Sequence, residues 1–479
     1  ILCAICSLVS MVQKLEKIAM EIFDSHKRII QEYESYINSF INIADERIAD
    51  HVKNELGANK LWPEPLIQFN PGYEKGTPFK NLCASGVLHN EIGDIFDFTP
   101  HKHQELAFKL GVQGKSFVVT SGTGSGKSLT YLVPIFDFVF KNKKQDSQPS
   151  VKALLIYPMN ALINSQFKEI QKFANLYSEK TGKDFPITFA QYTGQEGKDE
   201  KLKIIDERPD IILTNYMMLE LMLIRPEEKQ LRESILNNLQ FLVFDELHTY
   251  RGRQGADVSM LIRRIRESVN NPKLTCIGTS ATLATDSATK TKTEQVAEAA
   301  SDIFGISFSD EQIVEEYLTT NFSGQNISAN ELRDYLKTEI NADGKEMNLI
   351  NSPLANWIEQ QIALEKKNNK WERRKPISLI EIEKELSLYT HVPIETCKKG
   401  LQEFFQQIRQ VNLVLEEQNR NERYLPFKVH QFIRQTGMVY LTLESANERE
   451  ILLDPAPTIE KNNQRLPLFP VLFSRITGI

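Results

Sequence analysis

The sequence predicts an α/β fold with a parallel sheet that is covered by helices on both faces, and two observations support this prediction. Between about residues 99 and 309, short apolar runs of strand length alternate with helical stretches, a pattern typical of buried parallel sheets. Two of these runs end in polar motifs, one glycine-rich and one acidic. The predicted strands are residues 116–120, 153–157, 188–191, 211–214, 241–244 and 275–278.

Length and spacing divide the chain into four predicted segments. The chain has 479 residues, enough for about two to four domains. Residues 1–60 have helical spacing and predict an amphipathic helical extension. Residues 61–98 are rich in Pro and Gly and predict a linker wrapped on a domain surface. Residues 99–309 are assigned to the α/β domain, and 310–479 predict an α+β accessory region. In this region the sequence predicts helices at 311–318, 330–340, 378–386 and 393–411, followed by paired strands at 424–429 and 438–443, as in a winged helix.

Composition limits the classes of partner and compartment. The net charge of −6 implies that nucleic acid would be bound through a local groove, since a wholly nucleic-acid-binding surface would be basic. Five cysteines, an odd and sparse set, favour a reducing cytoplasm over a disulfide framework. Cys3 and Cys6 alone have metal-ligand spacing, without the second pair that a zinc site needs.

The first residues of the chain do not predict a membrane segment. The apolar stretch 1–12 is shorter than the roughly 20 residues that span a bilayer. Because the first methionine is Met11, we expect residues 1–10 to be upstream read-through or a truncated start.

A glycine-rich loop follows the first predicted strand and precedes a helix. Glycines let several backbone N–H groups point into one concavity, and the helix N-terminus favours anions. In such a loop Lys127 can reach the β- and γ-phosphates of a nucleotide, and the Ser128 hydroxyl can bind Mg²⁺. The loop comprises Ser121, Gly122, Thr123, Gly124, Ser125, Gly126, Lys127 and Ser128.

Two acids follow the predicted strand 241–244. The carboxyl edge of a parallel sheet is where α/β folds bind ligands. Asp245 can hold Mg²⁺, and Glu246 can orient and deprotonate an attacking water. A third polar motif, Ser280-Ala281-Thr282, follows the strand 275–278.

These motifs resemble those of superfamily 2 DExH-box helicases. The resemblance implies a RecA-like P-loop lobe that binds ATP and Mg²⁺, in which Gln104 reads adenine. His248, Ser280 and Thr282 would couple ATP hydrolysis to movement along the strand. Further motifs that would contact the nucleic-acid backbone contain Pro158, Asn160, Thr193, Gly194 and Thr214.

A narrower resemblance follows the acids. Thr249-Tyr250-Arg251-Gly252, with Gly255 and Arg263-Arg264, is similar to large bacterial DEAD/DEAH helicases related to RecQ-like repair helicases. It implies a DNA helicase or translocase used in repair or in defence against phage. An RNA helicase, and an ATP-binding regulatory subunit with little turnover, are the alternatives.

The resemblance also implies a second RecA-like lobe, whose arginines complete the ATP site. Residues 431–437 only superficially resemble that arginine motif, because they lack its second arginine. We therefore expect the chain to be the front part of a longer or split helicase. A second lobe is then a predicted partner, together with DNA.

Overall fold

In a computed structural model, the chain divides into two units. The sheet unit is Tyr73–Tyr317, and the flanking unit is formed by the residues up to Gly72 and from Leu318 onward. The described residues are 21–40, 43–57, 63–122, 124–143, 148–281, 291–322, 326–338, 345–367, 370–418, 420, 423–432, 439–453, 456–462 and 464–473. Among them, no helix combines the length and apolar character needed to cross a membrane.

The sheet unit contains a seven-stranded parallel sheet, as the sequence predicts. In chain order its strands are β1 (Phe117–Thr120), β2 (Ala153–Tyr157), β3 (Phe189–Tyr192), β4 (Ile211–Asn215), β5 (Phe241–Phe244), β6 (Thr275–Ser280) and β7 (Ile313–Glu315). Their order across the sheet is β3-β4-β2-β5-β6-β1-β7. All neighbouring pairs are parallel, so the carboxyl ends of all seven strands meet at one edge.

Helices cover both faces of this sheet. They are α1 (Phe79–Ala84), α2 (Asn90–Ile95), α3 (Lys102–Val112), α4 (Lys127–Asn142), α5 (Asn160–Thr181), α6 (Lys198–Glu207), α7 (Tyr216–Ile224), α8 (Lys229–Asn238), α9 (Gly252–Ser268) and α10 (Lys292–Phe304). The side chains of β2 alternate between two hydrophobic clusters, with Leu155 in one and Leu154 and Ile156 in the other. A strand buried on both faces has no polar alternation, which is why β2 and β5 read as continuous apolar runs.

The segment 73–98, which the sequence assigns to a surface linker, is part of the sheet unit. It forms α1 and α2 and contributes the buried side chains Phe79, Ile92 and Phe96 to one hydrophobic cluster. The ring of Phe79 stacks on that of Phe96 with centroids 5.0 Å apart. Prolines and glycines mark the turns between these short elements, and the aromatic residues between them form the core.

The C-terminal end of the sheet unit also extends beyond the predicted boundary at residue 309. Residues 311–318, expected to be helical, instead form a 3₁₀ turn (Asp310–Gln312) followed by the edge strand β7. Ile313 and Val314 are β-branched and pack into opposite hydrophobic clusters, which a strand permits because successive side chains alternate between faces. The unit begins and ends side by side, because the Glu74 N–H donates to the Tyr317 carbonyl at 2.9 Å.

The flanking unit combines helices with short antiparallel strands. Its longer helices are Glu21–Phe40, Glu46–Gly57, Ala329–Lys337, Leu379–Thr390 and Ile394–Glu417, and its shorter helical segments are Glu346–Ile350, Pro353–Trp357 and Ile358–Ala363. Its strands are Leu66–Phe69, Leu318–Thr319, Leu364–Lys367, Lys370–Arg373, Ile377–Ser378, Phe427–His430, Val439–Leu441, Ile451–Leu452, Thr458–Lys461, Gln464–Pro467 and Phe469–Val471, and the strand Gly72–Tyr73 lies at the boundary.

The helices expected in the accessory region are present, but the two expected strands do not pair with each other. Phe427–His430 pairs with Leu66–Phe69, whereas Val439–Leu441 pairs with Ile451–Leu452 and Phe469–Val471. Aromatic packing accounts for the first pairing. The ring centroid of Phe427 lies 6.2 Å from that of Phe69 and 4.8 Å from that of Phe405. The described residues therefore lack the hairpin on which the winged-helix interpretation rested.

Candidate nucleotide and nucleic-acid site

The glycine-rich loop joins β1 to α4 at the carboxyl edge of the sheet. Gly124 and Gly126 adopt φ angles of +85° and +71°, a region that glycine enters without steric cost. The hydroxyls of Ser121 and Ser125 lie 2.6 Å apart and are buried, so they fasten the start of the loop to its middle. Thr123 lies outside the described residues.

Lys127 is the first residue of α4 and bends back over the loop. Its Nζ donates to the Ser121 carbonyl at 3.0 Å and lies 3.5 Å from the Gly122 carbonyl. The Gly122 N–H in turn donates to Glu316 Oε2 at 3.0 Å. Glu316 was not predicted from the sequence, because only the sheet order brings the end of β7 next to β1.

Gln104 and His103 on α3 hold the other side of the loop. Gln104 Nε2 donates to the Gly126 carbonyl at 3.1 Å, and its Oε1 accepts from the His101 N–H at 2.8 Å. His103 Nε2 lies 3.1 Å from the Ser125 carbonyl, so the ring nitrogen donates there. Burial lowers the pKa of His103 to about 4, which keeps the ring neutral at pH 7.

Asp245 lies just after β5, with Thr279 of the neighbouring strand β6 against its carboxylate. The Thr279 hydroxyl donates to Asp245 Oδ1. Burial, together with the smaller effect of the nearby Glu246 carboxylate, raises the pKa of the Asp245 carboxyl to about 6 against the opposing effects of Thr279 and Lys127. The charged form of Asp245 is therefore disfavoured unless a cation is close.

Glu246 is held in an unusual backbone conformation. Its φ of +54° lies in the left-handed region, which is uncommon for a residue other than glycine. Its N–H donates to the Thr279 hydroxyl at 3.3 Å. Its buried Oε2 lies 3.3 Å from His248 Nδ1 and has no hydrogen bond to a described residue. Strain and an unsatisfied carboxylate oxygen often mark functional positions.

His248 connects the acidic motif to the hydroxyl motif after β6. Its Nδ1 lies 3.2 Å from Ser280 Oγ, so motifs separated by 32 residues in the chain meet at one point. Thr279, one residue before this motif, contacts both acids and was not singled out from the sequence. Thr282 lies outside the described residues.

The residues predicted to contact nucleic acid lie along the other half of the same edge. Four of them follow the strands β2 and β3, and Thr214 lies near the end of the adjacent strand β4. Asn215 Nδ2 donates to Asn160 Oδ1 at 2.9 Å, which links the last residue of β4 to the segment after β2. Thr214 is fully buried, and its hydroxyl donates to the Tyr192 carbonyl at 2.6 Å. It therefore supports this part of the edge from within.

Thr193 and Gly194 are organised by a carboxylate of the same loop. Glu196 accepts from the Thr193 N–H at 2.8 Å, the Thr193 hydroxyl at 2.6 Å and the Gly194 N–H at 2.8 Å. Burial alone would raise the pKa of Glu196, but these hydrogen bonds outweigh it and lower the pKa. All three of these donors, which could bind an anion, are thus hydrogen-bonded to the carboxylate of Glu196.

Part of the chain is similar in sequence to known helicases. Residues 101–291 match the model of the DEAD/DEAH box helicase family. The Druantia protein DruE of Escherichia coli is 28% identical, over 55% of this chain and 20% of that protein. The uncharacterized ATP-dependent helicase MJ1574 of Methanocaldococcus jannaschii is 33% identical, over 44% of this chain and 30% of that protein. The aligned region is thus less than a third of either relative.

Among solved structures, the DUF1998 helicase MrfA bound to DNA and AMPPNP is 20% identical and covers 65% of this chain and 43% of its own, with a TM-score of 0.41. The family match spans β1 to β6, the strands that carry the glycine-rich loop and the acids. The part of the chain that carries the glycine-rich loop and the acids is therefore similar to the DEAD/DEAH box helicases.

Proposed function

We propose that the sheet unit is a RecA-like motor lobe that binds ATP with Mg²⁺ and the backbone of DNA, as part of an ATP-dependent helicase or translocase. The observation that carries this proposal is that two groups of predicted motifs lie side by side on the same edge of the sheet. The glycine-rich loop follows β1, the acids follow β5 and Ser280 ends β6, whereas Pro158, Asn160 and Thr193 follow β2 and β3. His248 and Ser280 lie on the nucleotide half of this edge, where hydrolysis would be linked to strand movement.

The residues around Asp245 fit a magnesium ion. Mg²⁺ prefers oxygen ligands and is usually held by one or two carboxylates together with substrate phosphates. Asp245 and the Ser128 hydroxyl would hold it, and a cation would offset the effect of burial on Asp245. When bound, Mg²⁺ neutralises charge that develops on the phosphates.

The side chains of the loop and the acids have distinct roles in this proposal. Lys127 exchanges the Ser121 carbonyl for the β- and γ-phosphates. Gln104 holds the loop through the Gly126 carbonyl and contributes to adenine recognition. Glu246 orients the attacking water and accepts its proton through Oε2, which has no hydrogen bond to the part of the chain that the structure describes.

DNA is proposed as the substrate on the basis of the narrower resemblance after the acids, and repair or phage defence as the pathway. Binding of matched single-stranded DNA and RNA by this chain, with AMP-PNP and Mg²⁺, tests the substrate class without requiring turnover. We expect binding to DNA to be tighter than binding to RNA. Equal or tighter binding to RNA would replace this assignment with an RNA helicase.

A second RecA-like lobe is proposed to complete the ATP site with an arginine. An arginine supplied from outside the phosphate loop contributes about 10³ to 10⁵ in rate in phosphoryl-transfer enzymes. We expect this chain alone to bind ATP but to hydrolyse it slowly. ATPase turnover is measured with and without DNA, and rapid DNA-stimulated turnover would contradict the need for a second lobe.

A further inference from the structure

The contact between Glu316 and the phosphate loop joins two distant parts of the chain. Gly122 and Glu316 are separated by 194 positions, and the Gly122 N–H donates to Glu316 Oε2 at 3.0 Å. Glu316 directly follows the edge strand β7, which pairs with β1 up to Thr120 and Glu315. The sheet register therefore fixes this carboxylate beside the first residues of the loop.

The same part of the loop is engaged by its own side chains. Lys127 Nζ donates to the Ser121 carbonyl at 3.0 Å, and the Ser121 and Ser125 hydroxyls contact each other. A phosphate group binds to such loops through backbone N–H groups and a lysine. At Gly122 one of these donors is already directed at an anion that belongs to the chain.

We propose that Glu316 competes with the phosphates of the nucleotide for the Gly122 N–H and thereby sets the affinity of the site. This inference rests on the proposed ATP site. The simpler alternative is that Glu316 only braces the loop, in which case its loss would weaken nucleotide binding. The two roles predict effects of opposite sign.

The physical reason for competition is the charge on both acceptors. A carboxylate and a phosphate accept the same N–H donors, and hydrogen bonds to either are charge-assisted. Two anions at one donor repel each other, because like charges a few ångströms apart interact even in a partly solvated site. Nucleotide binding therefore requires Glu316 to withdraw from Gly122.

Glu316 lies one residue before the end of the sheet unit, so its withdrawal from Gly122 would act on the residues that follow it. The next residue, Tyr317, is the last of the unit. Its carbonyl accepts the Glu74 N–H, and its ring lies 4.5 Å from Lys102 Nζ. A nucleotide-dependent position of the Glu316 side chain would therefore be accompanied by a change at Tyr317 and the residues that directly follow it.

The test is the nucleotide affinity of Glu316→Gln in the full chain. Calorimetric titration with AMP-PNP and with ADP, both with Mg²⁺, should show binding tightened roughly three- to tenfold, since a like charge is removed while the side-chain shape is kept. Glu315→Gln is the matched control. It removes the same charge one residue earlier, where the carboxylate accepts from Thr293 instead, and its affinity should equal that of the wild type.

Unchanged or weaker binding by Glu316→Gln, relative to Glu315→Gln, would overturn competition in favour of bracing. If the wild type binds neither nucleotide, the proposed ATP site itself fails, which is a separate outcome. Hydrogen exchange of residues 316–320 gives a second readout. AMP-PNP should alter exchange there in the wild type and alter it less in Glu316→Gln, and equal changes in both proteins would contradict the proposal.

Discussion

At the scale of single residues, the nucleotide edge is organised by polar groups that each serve two partners. Thr279 contacts both acids, and Gln104 contacts both the Gly126 carbonyl and the start of its own helix. Buried polar groups are costly when they lose their partners. Changes at these positions should therefore affect function more than changes at exposed charges nearby.

Lys127 and Glu246 separate nucleotide binding from turnover. Lys127→Ala should weaken ATP binding at least about tenfold, because hydrogen bonds to charged groups contribute about 1.5–3 kcal/mol.

Glu246→Gln should bind ATP as the wild type does and lose turnover, since an amide cannot accept the proton from water. Lys109→Ala, at a lysine that pairs with Glu105 on α3, is the control. Binding is measured by titration and turnover by phosphate release, and normal hydrolysis by Glu246→Gln would refute the assigned role.

Asp245 predicts a pH-dependent stability. Its pKa is raised from 3.8 to about 6 in the folded protein, so the folded state binds the proton more tightly than the unfolded state. The resulting stabilisation is fully present below about pH 4 and is lost as pH rises through about 6.

Asp245→Asn, measured without Mg²⁺, should therefore stabilise the protein by on the order of 1–2 kcal/mol at pH 8 and have little effect near pH 4. Thermal unfolding of both proteins across this range tests the sign. Asp257→Asn on the exposed side of α9 serves as the control. A variant that is less stable than the wild type at pH 8 would show that ionised Asp245 is already compensated within the chain.

At the scale of elements, neighbouring strands bring together motifs that are far apart in sequence. The strand β6 lies between β5 and β1, so its last residues contact the acids after β5. The backbone of Glu246 is held in the left-handed region partly by a hydroxyl from β6. The geometry of the proposed catalytic acids thus depends on the register between two strands.

Thr279→Val should remove the hydrogen bonds between the end of β6 and the acids after β5, while the size and shape of the side chain are kept. Loss of the hydroxyl leaves the Glu246 N–H without this acceptor, which costs about 1–3 kcal/mol, and misplaces the carboxylate. We expect turnover to fall roughly tenfold or more, with ATP affinity changed much less. Thr275→Val, at the opposite end of β6 and equally buried, should preserve turnover. Equal losses in both variants would indicate a general packing defect.

The sequence predicts the strands of this sheet well, and it predicts contacts across the sheet poorly. Residues 153–157 and 241–244 are found with the predicted bounds, because burial on both faces leaves an unbroken apolar run. For residues 311–318 the sequence predicts a helix, whereas Ile313 and Val314 are extended, because pairing with the neighbouring strand β1 selects that conformation.

Within the site, the predicted loop and acids lie together, whereas Thr279 and Glu316 could not be found by motif. Both residues act through strand adjacency, which local spacing does not encode. Thr214 lies at the predicted edge, but its buried side chain is turned to Tyr192, a distinction that requires the structure.

At the scale of the whole molecule, the net charge of −6 implies that the proposed DNA site is a local groove, because an extended binding surface would make the chain basic. The loss of affinity with salt reports the number of phosphates neutralised, with a slope of about −0.7 per phosphate for single strands. We expect a slope of roughly −2 to −4 in a plot of log K against log salt, measured by fluorescence anisotropy with single-stranded DNA. A slope near −8 would instead indicate an extended basic surface.

The hydrogen bond between Glu74 and Tyr317 has a consequence for engineering. It places the first and the last residues of the sheet unit next to each other. The two chain connections of the unit therefore leave it at adjacent positions. Domains with adjacent ends tolerate insertion and circular permutation well. The unit could therefore be excised, or transplanted into a host loop, with a linker of only a few residues.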